Sequence, residues 1–442
     1  MGIRVVITGY VFLAVLFLAW PTYRTFLRIE IDVNESWNAY FADAAMGQFP
    51  LYPPRDQFIT NNYPPLSFYL VGTLGKLSGD SILAGRLLSL AAVLIIGVGT
   101  YFSLKELSTD SLSALIGACF FIVTLGRFFT SYVGMNDPQL LAQAVMTWGF
   151  VLFLRSQRLQ RAVYPAIAVM VLAGFIKHNL IVIPIACLIT VGRQRPRVML
   201  QSTLFAGALI ALGFLICYFT YGSDFFANLF CPRVSSWRTA FTSIGHLQWV
   251  AVGLVFWCFT GNVLRNDPAI QLVNRLILLG ITSFLLQKTG DGVSYNAQFE
   301  LVFAVALGVG LTFSRAEPLS QKGRFTPGAI RLSLVLAITL RLLASGRMEP
   351  ARLFYDRNFH AEIALREQVM QQTIDRIRLI PNALGQTTNA CYYARLPFVF
   401  DSFSTSQRVQ KGQLTAEAVK SWLENPPRVV VFEDPLVRWS RR

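Results

Sequence analysis

The chain is 442 residues long, 54% hydrophobic and 14% charged, with a mean hydropathy of +0.48. Its apolar content exceeds what a water-soluble surface tolerates, which excludes a soluble globular enzyme. The net charge of +15 does not call for a polyanion, because a bilayer protein keeps Lys and Arg in its cytoplasmic loops. No basic run is interleaved with base-stacking aromatics, so nucleic acid is not an expected partner.

The first apolar run, 5–20, follows Arg4 and ends in Trp20-Pro21 without a small-residue cleavage pattern, so it reads as a retained helix rather than a signal peptide. Further crossings fall near 82–104, 112–126, 138–154, 163–175, 180–191, 198–218, 247–263, 270–286, 299–313 and 329–343, about eleven in all. The two on either side of Gly174 are under-length, as expected of helices broken by Lys177-His178-Asn179 and packed against neighbours rather than lipid. If the helices alternate, Arg155/Arg158/Arg161, Arg193/Arg195/Arg197 and Arg315/Lys322/Arg324 share one side, which the positive-inside rule makes cytoplasmic, along with the amino terminus. The loops 22–65, 127–137, 220–246 and 288–298 and the carboxyl-terminal tail then face outward. The tail changes composition near Arg347, with a polar amphipathic stretch at 359–380 and short apolar segments at 397–400 and 428–432. The expected organisation is a membrane module over 1–346, with outer juxtamembrane helices in 32–78, and a small α/β domain over 347–442. Four cysteines lie in apolar runs as small hydrophobes. Cys231 and Cys391 fall on one side, where a bridge and two free thiols are both open.

Polar residues gather at the outer helix ends. In the first loop, Asp32 and Glu35 stand at the start of a helix over 35–46 that puts Glu35, Asn38 and Ala42 on one face and Trp37, Tyr40, Phe41 and Ala44 on an aromatic face fit for a bilayer interface. Asp32 or Asn34 reads equally as a helix cap. Asn61-Asn62-Tyr63-Pro64-Pro65-Leu66 leads into an aromatic helix, followed by Gly79-Asp80 and by Arg86, a lipid-phosphate ligand or a snorkelling arginine. Asn136-Asp137-Pro138 is a cap or a ligand set. Lys177-His178 interrupts apolar sequence, where an ionisable pair is costly unless it lines a polar cavity; a cation there suits the phosphate of a lipid carrier. Asn296 and Glu300 share a face at the start of the tenth helix, looking into a cavity or pairing with a cation such as Arg275. Trp37, Tyr40 and Trp237 are sugar-stacking or interface aromatics.

The order of these motifs resembles the C-type glycosyltransferase superfamily, in particular its protein mannosyltransferase and aminoarabinose transferase-like members (glycosyltransferase family 39). One departure is that Asp32 and Glu35 are three residues apart rather than adjacent. The resemblance implies an all-α polytopic membrane protein with an extracytoplasmic carboxyl-terminal domain, in a bacterial inner membrane. It implies transfer of a hexosyl or pentosyl group from a polyprenyl-phosphate carrier to a hydroxyl of a lipid, protein or polysaccharide acceptor, with inversion. Asp32 would be the general base, assisted by Glu35, and Lys177, His178 and Arg86 would hold the donor phosphate. Asn38, Tyr63, Asn136, Asp137, Asn296 and Glu300 would bind substrate. No cofactor is required by this scheme, although Glu35 and Asp137 are candidate ligands for a divalent metal ion. The rival is a transporter or flippase for a lipid-linked sugar or small molecule, which would spread its ionisable residues near the bilayer midplane and show paired interrupted helices.

Overall fold

The computed structural model describes residues 2–322, 325–344 and 348–425 and the backbone of 429–430. Arg324, Arg347, Arg428 and 431–432 of the sequence reading lie outside the described residues. Every one of the eleven apolar runs is helical. Among the described residues, Ser81–Glu106, Ser111–Phe128, Pro196–Tyr221, Pro268–Gln287 and Tyr295–Ser314 are five helices long and apolar enough to cross a bilayer, and the count reaches seven if each of two bent helix pairs is one span. The number meeting that measure is thus below the expected eleven. Part of the reason is length: Tyr164–Ile176 and Val182–Gln194 have 13 residues each, about 20 Å of helix against a hydrocarbon core of roughly 30 Å. They are two short helices broken at Lys177–Ile181, each burying one face and exposing the other, rather than being enclosed by neighbours. The chain is a multi-pass membrane protein.

At the centre of the bundle stands Phe299–Ser314, hydrophobic on all sides and buried from Phe299 to Phe313. An all-round apolar helix is stable only when surrounded. It meets Ser111–Phe128 at small residues: a Cβ on Gly117 would come within 2.8 Å of the Ala306 carbonyl oxygen, and one on Gly310 within 3.1 Å of the Ser113 carbonyl oxygen. Such close crossings substitute packing for the hydrophobic effect that lipid does not supply.

The outer end is organised by aspartate caps. Leu66–Ser78 stops at Gly79, whose φ of +76° is a left-handed conformation suited to glycine, and Asp80 then caps Ser81–Glu106 by accepting from the Ile82 and Leu83 amides. Asp137 caps Pro138–Arg158 with proline in the first turn. Gly85 lets the Asn136 side chain lie against the helix, since a Cβ there would meet Asn136 Oδ1 at 1.8 Å.

One buried ion pair ties these pieces together. Arg86 is 1% exposed and Glu35 is fully buried. The guanidinium donates from Nε to Glu35 Oε1 (2.7 Å) and from Nη2 to Oε2 (2.6 Å). Its remaining donors reach the carbonyls of Leu27 and Ile29 in the first loop. Glu35 also accepts from the Ile31 amide (3.0 Å), the Asn136 amide (3.2 Å) and Asn389 Nδ2 (3.2 Å).

The helix Asn34–Ala45 therefore does not lie on a bilayer interface as its aromatic face suggested. It is enclosed by Leu66–Ser78, Ser81–Glu106 and the carboxyl-terminal segment, with Tyr40 stacked on Phe398 at 4.6 Å. Among the described residues that segment is mostly helical, including the 22-residue Arg357–Arg378, and its β-structure is a two-residue parallel pairing of Ala383–Leu384 with Val429–Val430 plus isolated bridges. It is bound to the membrane-proximal loops at several points. The Asn389 amide donates to Glu30 (2.6 Å), Tyr392 to Asp43 (3.0 Å), Tyr393 to Asp80 (3.1 Å) and Arg408 to the Gln57 carbonyl (2.6 Å). None of the six cysteines is in a disulfide, so Cys231 and Cys391 are not bridged.

Removing one member of a buried ion pair leaves an uncompensated charge and costs roughly 3–5 kcal/mol, whereas an apolar pair of similar volume is often tolerated. Arg86→Leu should therefore lower the melting temperature of the detergent-solubilised protein markedly, read by tryptophan fluorescence. The double variant Arg86→Met with Glu35→Leu should recover a large part of the loss.

Candidate functional site

A cavity of about 620 Å³ opens beside this lattice, within the size range of small-molecule sites. Its walls come from segments far apart in sequence. The first loop supplies Asp32, Asn34 and Trp37; the next turn supplies Thr60, Asn62 and Tyr63; Tyr132 and Asp137 come from before Pro138–Arg158. Lys177, His178 and Asn179 enter from the break between the two short helices, Cys231 and Arg233 from the loop before Trp237–Thr242, and Ser294 and Asn296 from the turn before Phe299. Thr387, Asp401, Ser404 and Gln407 close it from the carboxyl-terminal segment.

Lys177 is the distinctive cation. Its side chain is 5% exposed, and Nζ has no hydrogen-bond partner in the protein. It sits 3.4 Å from the centroid of the Tyr63 ring and 3.9 Å from Asp137 Oδ2. The other carboxylate oxygen of Asp137 accepts from the Gln139 amide at 2.8 Å. The loop that carries Lys177 and His178 is fixed from below by Glu300, which accepts from the amides of Ile181 (3.2 Å), Val182 (3.1 Å) and Ile183 (3.2 Å). Arg233 is the second cation of the wall and donates from Nη2 to the Asn62 amide oxygen at 2.5 Å, with that amide turned oxygen-inward.

Asp32 is half-buried on the wall, with Oδ1 accepting from the Asn34 amide at 3.0 Å. Tyr132 feels the charges of both Asp137 and Asp32; burial foremost, then these two carboxylates, raises its phenol well above the ordinary range, so it stays protonated. Asp401 caps Ser402–Gln410 through the Phe403 amide, and burial raises its carboxyl above the usual value. His178 is open to the cavity yet lies deep among protein atoms. Burial, then the charges of Lys177 and Arg233, push its pKa down to about 4, so the imidazole is neutral at physiological pH.

Of the residues given catalytic, donor-phosphate or substrate-binding roles in the sequence, Asp32, Tyr63, Asp137, Lys177, His178 and Asn296 meet at this cavity. The others do not. Arg86 is corrected from phosphate ligand to structural pin, because its donors are taken by Glu35 and loop carbonyls. Glu35 is corrected from catalytic or metal-binding acid to the pin's partner. Asn38 and Asn136 are corrected from substrate ligands to tethers: Asn38 Nδ2 donates to the Asn136 carbonyl (2.9 Å), and Asn136 Nδ2 to the Glu35 carbonyl (3.0 Å). Glu300 caps Val182–Gln194 instead of binding substrate, and Arg275 bonds Thr190 rather than Glu300. As a metal pair, Glu35 and Asp137 do not fit, since one is held by Arg86 and the other faces Lys177. Among the described residues no three His, Cys, Asp or Glu side chains converge as a cation cage.

Arg233 and Asp401 were missed. Arg233 is one of several basic residues in the same set of loops, with Arg28, Arg55, Arg127 and Arg238, and so carried no distinctive signal, whereas Asp401 before Ser402 reads in sequence simply as a helix cap.

Comparison with known proteins agrees with this architecture. The family model described as dolichyl-phosphate-mannose-protein mannosyltransferase matches residues 62–221. No curated protein matches the chain. ArnT from Cupriavidus metallidurans, in its crystal structure bound to undecaprenyl phosphate, superposes with a TM-score of 0.58 at 14% identity, covering 94% of this chain and 91% of that one. Its apo crystal structure gives the same score and identity over 94% and 90%. An Archaeoglobus fulgidus oligosaccharyltransferase tethered to an acceptor peptide reaches 0.49 at 12% identity, over 91% of this chain and 64% of that one. The fold is that of the C-type glycosyltransferases, and the family match covers residues 62–221 of the chain.

The folded pKa of His178 lies below its ordinary 6.5, so between about pH 6.5 and 4 the unfolded chain takes up a proton that the folded protein refuses. Stability contributed by neutral His178 is present above pH 6.5 and is lost as the pH falls through that window. His178→Asn should flatten this part of the stability-against-pH curve in detergent melts and leave the curve above pH 7 unchanged.

Proposed function

We propose that the protein transfers a sugar from a polyprenyl-phosphate carrier to an acceptor hydroxyl, with inversion at the anomeric carbon. The observation that carries this reading is Lys177, a buried ammonium without a hydrogen-bond partner, presented to a cavity that also holds Asp32. The binding of undecaprenyl phosphate by ArnT, which shares the fold, supports a lipid-linked donor. In this scheme the acceptor oxygen attacks the anomeric carbon, the bond to the phosphate oxygen breaks, and polyprenyl phosphate leaves. Asp32 takes the acceptor proton as general base. A phosphate is already a good leaving group, so it needs charge stabilisation more than protonation, which Lys177 supplies with Arg233 as the second cation. His178, neutral near pH 7, serves as a hydrogen-bond partner rather than a charge. Tyr63, Asp137 and Asn296 complete the substrate walls, and no step is routed through a metal ion. The convergence of ionisable side chains at one end of the bundle, rather than along its length, favours transfer over transport. The reading further places the cavity and the 347–442 domain on the extracytoplasmic face of a bacterial inner membrane, with the amino terminus cytoplasmic.

Asp32→Asn should reduce release of free polyprenyl phosphate from polyprenyl-phosphate sugars by about a hundredfold or more, the scale of a lost general base, while leaving the melting temperature within a few degrees. The assay uses detergent-purified protein, a panel of such donors and cell-envelope extract as acceptor. Release unaffected by the substitution would remove Asp32 from this role.

A further inference from the structure

Lys177 stands between two groups that attract it, and the structure has it on one of them. Its Nζ is 3.4 Å from the Tyr63 ring centroid, a close cation–π approach, but 3.9 Å from Asp137 Oδ2, too far for the charge-assisted hydrogen bond that an ammonium and a carboxylate normally form at 2.7–2.9 Å. Tyr63 is itself held. Its ring packs edge-on against Trp37 at 5.0 Å, its backbone carbonyl accepts from Tyr52 at 2.9 Å, and its amide donates to Asn61 at 3.1 Å. Asp137 is equally fixed by its cap bond to the Gln139 amide. The Lys177 ammonium, by contrast, has no hydrogen bond to hold it.

We infer that Tyr63 is a positioning residue whose ring holds Lys177 off Asp137, keeping the ammonium available to the anionic oxygens of a lipid phosphate. The inference rests on the donor-phosphate role given to Lys177 above. Without the ring's attraction, the ammonium closes onto Asp137, and an incoming phosphate must first break a buried ion pair. With it, the cation is flanked by a π face and by a carboxylate in ion-pair range, and none of its N–H groups is committed to a hydrogen bond within the protein, so those turned away from the ring remain for phosphate oxygens. The ring therefore tunes affinity for the phosphate without touching it.

The test weakens the ring's negative face without changing its size. Phe and then mono-, di- and trifluoro-Phe are installed at position 63 of the full-length protein in nanodiscs, and the Kd for polyprenyl phosphate is measured beside wild type, Lys177→Met and Asp137→Asn. Asn is also a good helix cap, so the last variant keeps its helix start. The expected result is a stepwise rise in Kd along the fluorine series, reaching roughly tenfold, as removal of about 1–2 kcal/mol of cation–π attraction implies. In the Asp137→Asn background, where there is no carboxylate to capture the ammonium, the same series should be flat. A structural role for Tyr63 would not produce a dependence on fluorine count. If Lys177→Met weakens binding but the series leaves Kd unchanged, the positioning role is wrong and the phosphate role of Lys177 stands. If Lys177→Met binds as well as wild type, or wild type does not bind polyprenyl phosphate, both are overturned.

Discussion

The architecture of the outer end depends on the Glu35–Arg86 pair. A guanidinium and a carboxylate buried together in a low-dielectric bundle hold only if the remaining lone pairs and N–H groups are satisfied, and here they are. Arg86 reaches the first-loop carbonyls, while Glu35 receives N–H groups from Ile31, from Asn136 and from Asn389 of the carboxyl-terminal segment. Four parts of the chain that share no local contact in sequence are thereby locked at one point. The cavity exists because its walls hang from this point: Asp32 precedes Glu35 by three residues, Asp137 follows Asn136, and Thr387 lies two residues before Asn389.

A division of labour among charged groups follows from where each is satisfied. Glu35, Arg86 and Glu300 have their capacity filled by protein partners and do structural work; Glu300 fixes the loop on which Lys177 and His178 stand. Lys177 lacks a hydrogen-bond partner, and an ionisable group left so in a buried place is a candidate for the proposed donor-phosphate role. The same sorting explains why the carboxyl-terminal segment is better regarded as the roof of the cavity than as an appended module. It places Asp401, Ser404 and Gln407 on the wall and is pinned to the loops beneath by Tyr392, Tyr393 and Arg408.

Much of the fold was legible in the sequence because hydrophobic length and loop charge are strong signals: the eleven apolar runs are all helical, and the loops assigned to one side do meet at one cavity. The count of crossings was less legible, since the 13-residue helices around Lys177 carry the apolarity of a span without its length. The aromatic face of 35–46 looked interfacial because sequence cannot show that Phe398 and Tyr392, some 350 residues away, cover it. The partners of individual polar residues were hidden for a related reason. Glu35 and Asp32 look alike in sequence, and only the arrival of Arg86 from 51 residues away distinguishes a pinned carboxylate from one on the cavity wall. The partners of Glu300 were hidden similarly, because the amides it caps belong to residues 181–183.

The most direct measurement is an electron cryomicroscopy structure of the protein in nanodiscs with bound polyprenyl phosphate, at a resolution that places the phosphate. The account predicts the phosphate within hydrogen-bond distance of Lys177, facing Asp32 across the cavity, with the Glu35–Arg86 pair intact beside it. A phosphate bound to Arg86, with Glu35 released, would contradict it.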